Sequence, residues 1–237
     1  RRPPDPPIPR ADRQRFATRR SAVPMTQHFH CGRFVLNAER PLIMGIVNLT
    51  DDSFSGDGLR GDTGAAIAHA RRLIEEGAQI LDLGAESSRP GAAPVSAQQE
   101  IDRLLPVIEA LRDCGTALSI DTVKPEVMRL GLNAGADMIN DINALRAPGA
   151  LEVVAASKAG VCLMHMQGDP HTMQDAPHYA DIVSEVAEYL AERVAAAEAA
   201  GIALNRIAVD PGFGFGKSLE HNIQLLRRLD ELVVPGL

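Results

Sequence analysis

A short apolar run ending in a polar side chain, then a loop, then an amphipathic helix: this unit recurs along the sequence. The runs occupy 42–47, ending at Asn48; 79–83, carrying Asp82; 117–120, ending at Asp121; 137–139, ending at Asn140; 161–164, ending at His165; and 206–209, ending at Asp210. Runs this short and this continuous suit strands buried on both faces, which belong in parallel sheets. Helical spacing fills the gaps between them. One helix is expected over 63–76, stopped by Gly77, and a second starts at the Ser96/Gln99 capping box. Pro125 fits the first turn of a third, reaching about Asn133. Others are expected over 148–157 (stopped by Gly160), 179–200 (ended by Gly201) and 219–229. A hairpin-like lead-in is expected over 29–40, and 232–234 reads as the start of another strand.

Strict β–α alternation implies an α/β fold with a parallel sheet and helical crossovers. An open doubly wound sheet and a (β/α)₈ TIM barrel both satisfy it, and both put function at the C-terminal strand ends. No G-x-G-x-x-G follows the first run, so the dinucleotide-binding open sheet loses its main support. Polar residues at the strand ends favour the barrel, with about six βα units in this chain.

Several function classes are disfavoured. The net charge is −7, Trp is absent and aromatics make up 3%, so neither a basic face nor a base-stacking platform for nucleic acid is expected. No apolar run approaches the roughly 18 residues of a membrane span. Cys31, Cys114 and Cys162 lie far apart without CxxC spacing and read as reduced thiols of a cytoplasmic protein. Residues 1–24 are Arg- and Pro-rich and aperiodic, a disordered tail by composition, with Met25 a plausible start. Residues 25–237 then form one domain.

In a barrel Asn48, Asp82, Asp121, Asn140, His165 and Asp210 converge on one mouth. A lone carboxylate after a strand is commonly a helix cap, but six polar ends together make a site. Carboxylates and amides suit a flat heterocycle with a 2-amino-4-oxo edge, whose N–H donors lie side by side and pair with a carboxylate bidentately. Ser87, Ser88 and Arg89, before Pro90, offer hydroxyls and a forked cation suited to phosphate. Asn48 and the acidic loop after it suit a hard cation such as Mg²⁺, although a solvated acidic loop has the same composition.

The sequence resembles the dihydropteroate synthase family of pterin-binding barrels. The resemblance rests on 44–50 with Asp52-Ser53-Phe54-Ser55, 84–92, Asp121-Thr122 with Lys124-Pro125-Glu126, 139–142, 163–174 and 210–217, covering about 42–230 in family order. It implies condensation of 6-hydroxymethyl-7,8-dihydropterin pyrophosphate with p-aminobenzoate to give 7,8-dihydropteroate and pyrophosphate, in folate biosynthesis. It also implies that Asp121, Asn140 and Asp210 hold the pterin edge, with Met164 against the ring. Asn48 matches a Mg²⁺ ligand. Thr50, Phe54, Ser87, Ser88, Arg89, Pro90, Phe215 and Lys217 match the loops that shape the p-aminobenzoate and pyrophosphate sites. Small molecules are the expected partners, with a homodimer expected for the full-length form. The chemistry requires no protein nucleophile, so His165 reads as a structural residue at least as readily as a base.

The sequence departs from the family pattern in two places. Asp51 follows Thr50 where the family usually has Pro, and Ser55-Gly56-Asp57-Gly58 replaces Ser-Asp-Gly-Gly, displacing an Asp by one position. The family also carries two further strands, with a Ser-Arg-Lys and an Arg-x-His segment. On this reading the chain is a C-terminally truncated copy of an active enzyme.

Overall fold

The computed structural model describes residues 28–50, 63–87, 94–170, 172–232, 234 and 237. An antiparallel hairpin opens it: β1 (His28–Cys31) pairs with β2 (Phe34–Asn37). Six parallel strands follow in sequence order: β3 (Met44–Asn48), β4 (Ile80–Gly84), β5 (Ala117–Asp121), β6 (Met138–Asp141), β7 (Gly160–Met164) and β8 (Ile207–Asp210). Six helices alternate with them: α1 (Thr63–Glu75), α2 (Ala97–Leu111), α3 (Pro125–Ala134), α4 (Ala150–Ala155), α5 (Ile182–Ala199) and α6 (Leu219–Arg227). Each strand pairs with the next, as in the wall of a (β/α)₈ barrel.

Side chains alternate across this wall. Val47, Leu81, Leu83, Leu118, Ile120, Ile139, Val161, Leu163 and Ile207 face the helices and form the main core. The intervening residues face inward. At the lower end Met44, Ile80, Ala117, Met138 and Cys162 pack against Phe29, Cys31, Phe34 and Leu36 of the hairpin, which closes the barrel floor. Ile46, paired with Asp82, is 60% exposed because β3 is at one end of the strand order.

The helix boundaries have local causes. The Ser96/Gln99 box opens α2, Pro125 sits in the first turn of α3, and left-handed Gly135 ends it. Expectation and structure differ at four places. The expected helix from 179 begins at Ile182, because the Glu185 carboxylate takes the Ala180 and Asp181 amides at 2.6 and 3.0 Å and holds them outside the helix. The 148–157 helix shrinks to Ala150–Ala155. Ser157 Oγ donates to Val154 O and accepts the Ala159 amide, so a serine rather than Gly160 turns the chain. Gly160 instead begins β7, where a Cβ would lie 2.8 Å from the Phe29 ring. Finally, Leu232 and Val234 form no strand, and a 3-10 turn at Leu229–Glu231 precedes them.

Candidate active site

Strand register builds the mouth of the site. Asn48 pairs with Gly84, Gly84 with Asp121, and Asp121 with Asn140, so three polar side chains share one level of the inner wall. Gly84 supplies the gap between them. A Cβ there would lie 3.5 Å from Asp121 Oδ2 and 3.7 Å from Asn48 Oδ1, so both oxygens border the same space. One level lower, Asp82 pairs with Ser119. Asn140 Nδ2 donates to Asp82 Oδ2 at 2.9 Å, which orients the amide and leaves Asn140 Oδ1 as an acceptor. Met164 and Asp210 pair one level higher.

These carboxylates are electrostatically loaded. Burial raises the Asp82 pKa, opposed by the Ser119 hydroxyl and then by the Asn140 amide. Asp121 is pushed well above the usual carboxylate range, first by burial and then by the charges of Asp82, Asp141 and Glu100. Asp82 Oδ1 and Ser119 Oγ, on paired residues, are both buried and have each other as the neighbouring polar group, without full hydrogen-bond geometry to any described residue. Buried carboxylates with raised pKa values at the open end of a parallel sheet mark a candidate binding site.

The apolar side is a methionine shelf. Met164, Met166 and Met173 cluster with Ile142 and Phe215. Polarizable thioethers adapt to the face of a flat ring.

The loop after Asp210 is built to come close. Asp210 Oδ1 accepts the Gly212 amide at 2.7 Å. Gly212 has φ +67°, and a Cβ on it would stand 2.0 Å from His165 O; at Gly216, φ +63°, a Cβ would stand 2.6 Å from Gln167 O. Only glycine fits two such approaches. Tyr179 OH donates to Gly216 O at 2.8 Å, Gln174 Nε2 donates to Gly214 O, and Asn222 Oδ1 accepts the Gly214 amide at 2.8 Å.

Lys217, expected on a substrate-binding loop, lies on that loop with its ammonium turned inward. It is 3% exposed and donates to Gly212 O at 2.8 Å, Phe215 O at 2.9 Å and His165 O at 3.3 Å, with His165 Nδ1 at 3.0 Å. In this structure it ties the loop together. His165 is wedged beside Tyr179 and Tyr189, with ring centroids 6.0 and 4.9 Å away.

Of the other expected residues, Thr50 is buried just beyond β3, and Ser87 follows β4 at the start of the next connection. Phe54, Asp57, Ser88, Arg89, Pro90 and the 1–24 tail lie outside the described residues. The sequence reading placed Asp82 at the mouth without giving it a partner. Ile142, Met166 and Met173 fall in stretches that carry the family resemblance, but the sequence assigns them no individual role. Ile142 follows Asn140 by two positions, and that spacing was the available signal.

Known proteins share this arrangement. The family model described as "Pterin binding enzyme" matches residues 44–236. The dihydropteroate synthase of Escherichia coli K12 is 50% identical over 197 residues, which are 83% of this chain and 70% of that protein. The Yersinia pestis dihydropteroate synthase, solved with a sulfonamide drug, superposes with a TM-score of 0.83 at 47% identity, covering 86% of this chain and 75% of that one. The Burkholderia cenocepacia enzyme, complexed with 7,8-dihydropteroate, gives a TM-score of 0.76 at 49% identity, covering 87% and 71%. With a family match over residues 44–236 and half-identical relatives on the same barrel wall, this chain belongs to the pterin binding enzyme family.

Proposed function

We propose that this chain is a dihydropteroate synthase, joining 6-hydroxymethyl-7,8-dihydropterin pyrophosphate to p-aminobenzoate. The observation that carries the reading is the convergence of Asp82, Asp121, Asn140 and Asp210 around the Met164 shelf. Half-identity to a protein with that activity supports it.

The pterin edge presents N–H donors, and these residues present acceptors. Asp121 and Asp210 take donors from the edge, and Asn140, oriented by Asp82, contributes its carbonyl. Met164 packs on the ring face. The methylene carbon is thereby held at the open end of the barrel. The C–O bond to pyrophosphate breaks with its electron pair leaving on oxygen. The aniline nitrogen of p-aminobenzoate then forms the new C–N bond and loses a proton to solvent or to the departing anion. No side chain need act as nucleophile. The site's tasks are orientation and exclusion of water from the electrophilic carbon.

The leaving group is the strongest anion in the reaction. Ser87, Ser88, Arg89 and Pro90, which follow β4 in the sequence, are proposed to serve both this anion and p-aminobenzoate, together with Thr50 and Phe54, which follow β3, and with Phe215 beside the aryl amine. Mg²⁺ fits the donor chemistry: Asn48 Oδ1 is a hard oxygen bordering open space over Gly84. Bound there with the substrate's own phosphates, the ion would neutralise charge on the departing pyrophosphate. No group of three or more His, Cys, Asp or Glu side chains suited to a metal occurs among the described residues. A metal held by one amide and a substrate matches the habits of Mg²⁺. We place the enzyme in the cytoplasm, as a homodimer in its full-length form. Among the described residues no helix is long and apolar enough to cross a membrane.

Pyrophosphate release tests this reading. It is measured with the chain alone and with the chain joined to the C-terminal region of the Escherichia coli relative. Release that requires p-aminobenzoate and is competed by a sulfonamide is the expected result. Release indifferent to the aryl amine, or pterin binding without turnover in both forms, overturns it.

A further inference from the structure

One ion-pair network, half-buried at Lys124 and Glu86 and enclosed at Glu100, has no part in the chemistry above. Lys124 Nζ lies 2.6 Å from Glu86 Oε2 and 3.0 Å from Glu100 Oε1. The other oxygen of each carboxylate is also used. Glu86 Oε1 accepts the Val95 amide at 2.9 Å, and Glu100 Oε2 accepts the Thr122 hydroxyl at 2.8 Å. Thr122 Oγ1 in turn accepts the Lys124 amide at 3.2 Å. Arg103 of α2 donates to Ala85 O at 3.1 Å, holding the same strand exit.

The placement of these bonds is informative. Glu86 and Val95 stand at the two ends of the connection between β4 and α2, so a single carboxylate spans its base. Lys124 and Thr122 belong to the turn that follows Asp121. The network therefore joins the connection carrying Ser87, Ser88 and Arg89 to the turn carrying a pterin ligand. Glu100 is wholly enclosed. A charge enclosed that far is poor value for stability, since apolar side chains of like volume commonly do as well. Its bonds instead set where two chain segments stand relative to each other.

We infer that Lys124 and Glu86 are positioning residues of the transferase: by clamping the base of the β4–α2 connection to the end of β5, they set the p-aminobenzoate half of the site against the pterin half. The inference rests on the synthase reading for its kinetic consequence, but not for its mechanical one. Neither side chain touches the reacting atoms. Lys124 acts on Val95 only through Glu86, so a change at Lys124 has to appear at an amide it does not contact.

The experiment compares Glu86→Gln, Lys124→Met and Lys124→Arg in the full chain. Gln keeps an acceptor for Val95 while removing the charge, so that variant retains its fold. Hydrogen exchange at the Val95 amide is read first. It should accelerate about tenfold in Glu86→Gln and Lys124→Met, recover in Lys124→Arg, and stay unchanged inside β5 and α2. Steady-state kinetics are read second. The p-aminobenzoate KM should rise about tenfold, with pterin affinity within about twofold, as a displacement of one half-site against the other requires. Unchanged Val95 exchange in Lys124→Met overturns the clamp. Acceleration across the whole domain, or equal losses of pterin and p-aminobenzoate binding, reduces the network to an ordinary structural ion pair and also overturns it. If the unaltered chain has no aryl-amine-dependent turnover, the synthase reading fails, and Val95 exchange still decides the clamp.

Discussion

Lys217 Nζ lies 3.0 Å from His165 Nδ1 in the interior between the loops that follow β7 and β8. Burial lowers the Lys217 pKa to about 7, so below that pH the amine is an ammonium that can only donate; Nδ1 then accepts and the ring proton resides on Nε2. A second ring proton would point N–H at the ammonium. Burial, then the Lys217 charge, pushes the His165 pKa from 6.5 down to about 4. The native state thus refuses a proton that the unfolded chain accepts. Stability is fully present above pH 6.5 and is lost as pH falls toward about 4. That loss amounts to about 3 kcal/mol at its limit. Urea unfolding of wild type and His165→Gln across this window checks it, since the raised carboxylates Asp82, Asp121 and Asp141 act with opposite sign in both proteins and cancel. The wild type should lose stability relative to the variant on acidification; parallel curves would refute the pairing.

The hairpin floor depends on one arginine. Arg33 Nε and Nη2 each lie 2.9 Å from an oxygen of buried Asp137, and the guanidinium also donates to Arg112 O and Gly135 O. Arg33→Ala leaves an enclosed carboxylate with only the Leu118 and Arg33 amides as donors. A cost of about 3 kcal/mol is expected by denaturant titration. A change below about 0.5 kcal/mol, the level of an exposed ion pair, would show that the clamp contributes little.

Two glycines of one loop should respond differently to alanine. At Gly212 a Cβ meets His165 O at 2.0 Å, so backbone has to move; at Gly214 nothing lies within 4 Å. Both have positive φ. Gly214→Ala carries only the left-handed penalty, about 1–2 kcal/mol. Gly212→Ala adds a backbone clash and should exceed about 4 kcal/mol. Thermal unfolding distinguishes them, and equal losses would contradict the close approach of the loop to the end of β7.

Asp210 is expected to accept hydrogen bonds from the pterin edge. In Asp210→Asn the side-chain oxygen can still accept the Gly212 amide, so the loop is retained. The amide then presents a donor where the pterin edge needs an acceptor. Affinity for a dihydropterin should fall about 10- to 100-fold, the worth of one charge-assisted hydrogen bond. Calorimetry reads this directly, and unchanged affinity would remove Asp210 from the pterin site.

The barrel wall was legible because strands buried on both faces leave a continuous apolar signature, interrupted only where an inward residue is polar. Asp82 and Asn140 showed in the sequence for that reason. Their hydrogen bond did not, since it depends on the stagger of β4 against β6 across β5. The hairpin was legible as a hairpin. That Phe29 and Phe34 would plug the floor was not, because packing between 29–36 and 44–162 leaves no periodic trace. Gly160 was misread as a helix stop for the same reason: its lack of a side chain answers to the Phe29 ring, a neighbour distant in sequence. Lys217 followed an alternating Gly-Phe loop and looked like a ligand for substrate. Only the structure reveals that three carbonyls and an imidazole already surround it.

Product identity separates aryl-amine transfer from hydrolysis. Dihydropterin pyrophosphate is incubated with nitrogen-15-labelled p-aminobenzoate, using the chain alone and the chain joined to the C-terminal region of the Escherichia coli relative, and products are read by mass spectrometry. Labelled 7,8-dihydropteroate is expected in step with pyrophosphate, abolished by Asp121→Asn combined with Asp210→Asn. Pyrophosphate accompanied by hydroxymethyl-dihydropterin and no labelled product would mean hydrolysis rather than transfer, and would contradict the synthase assignment.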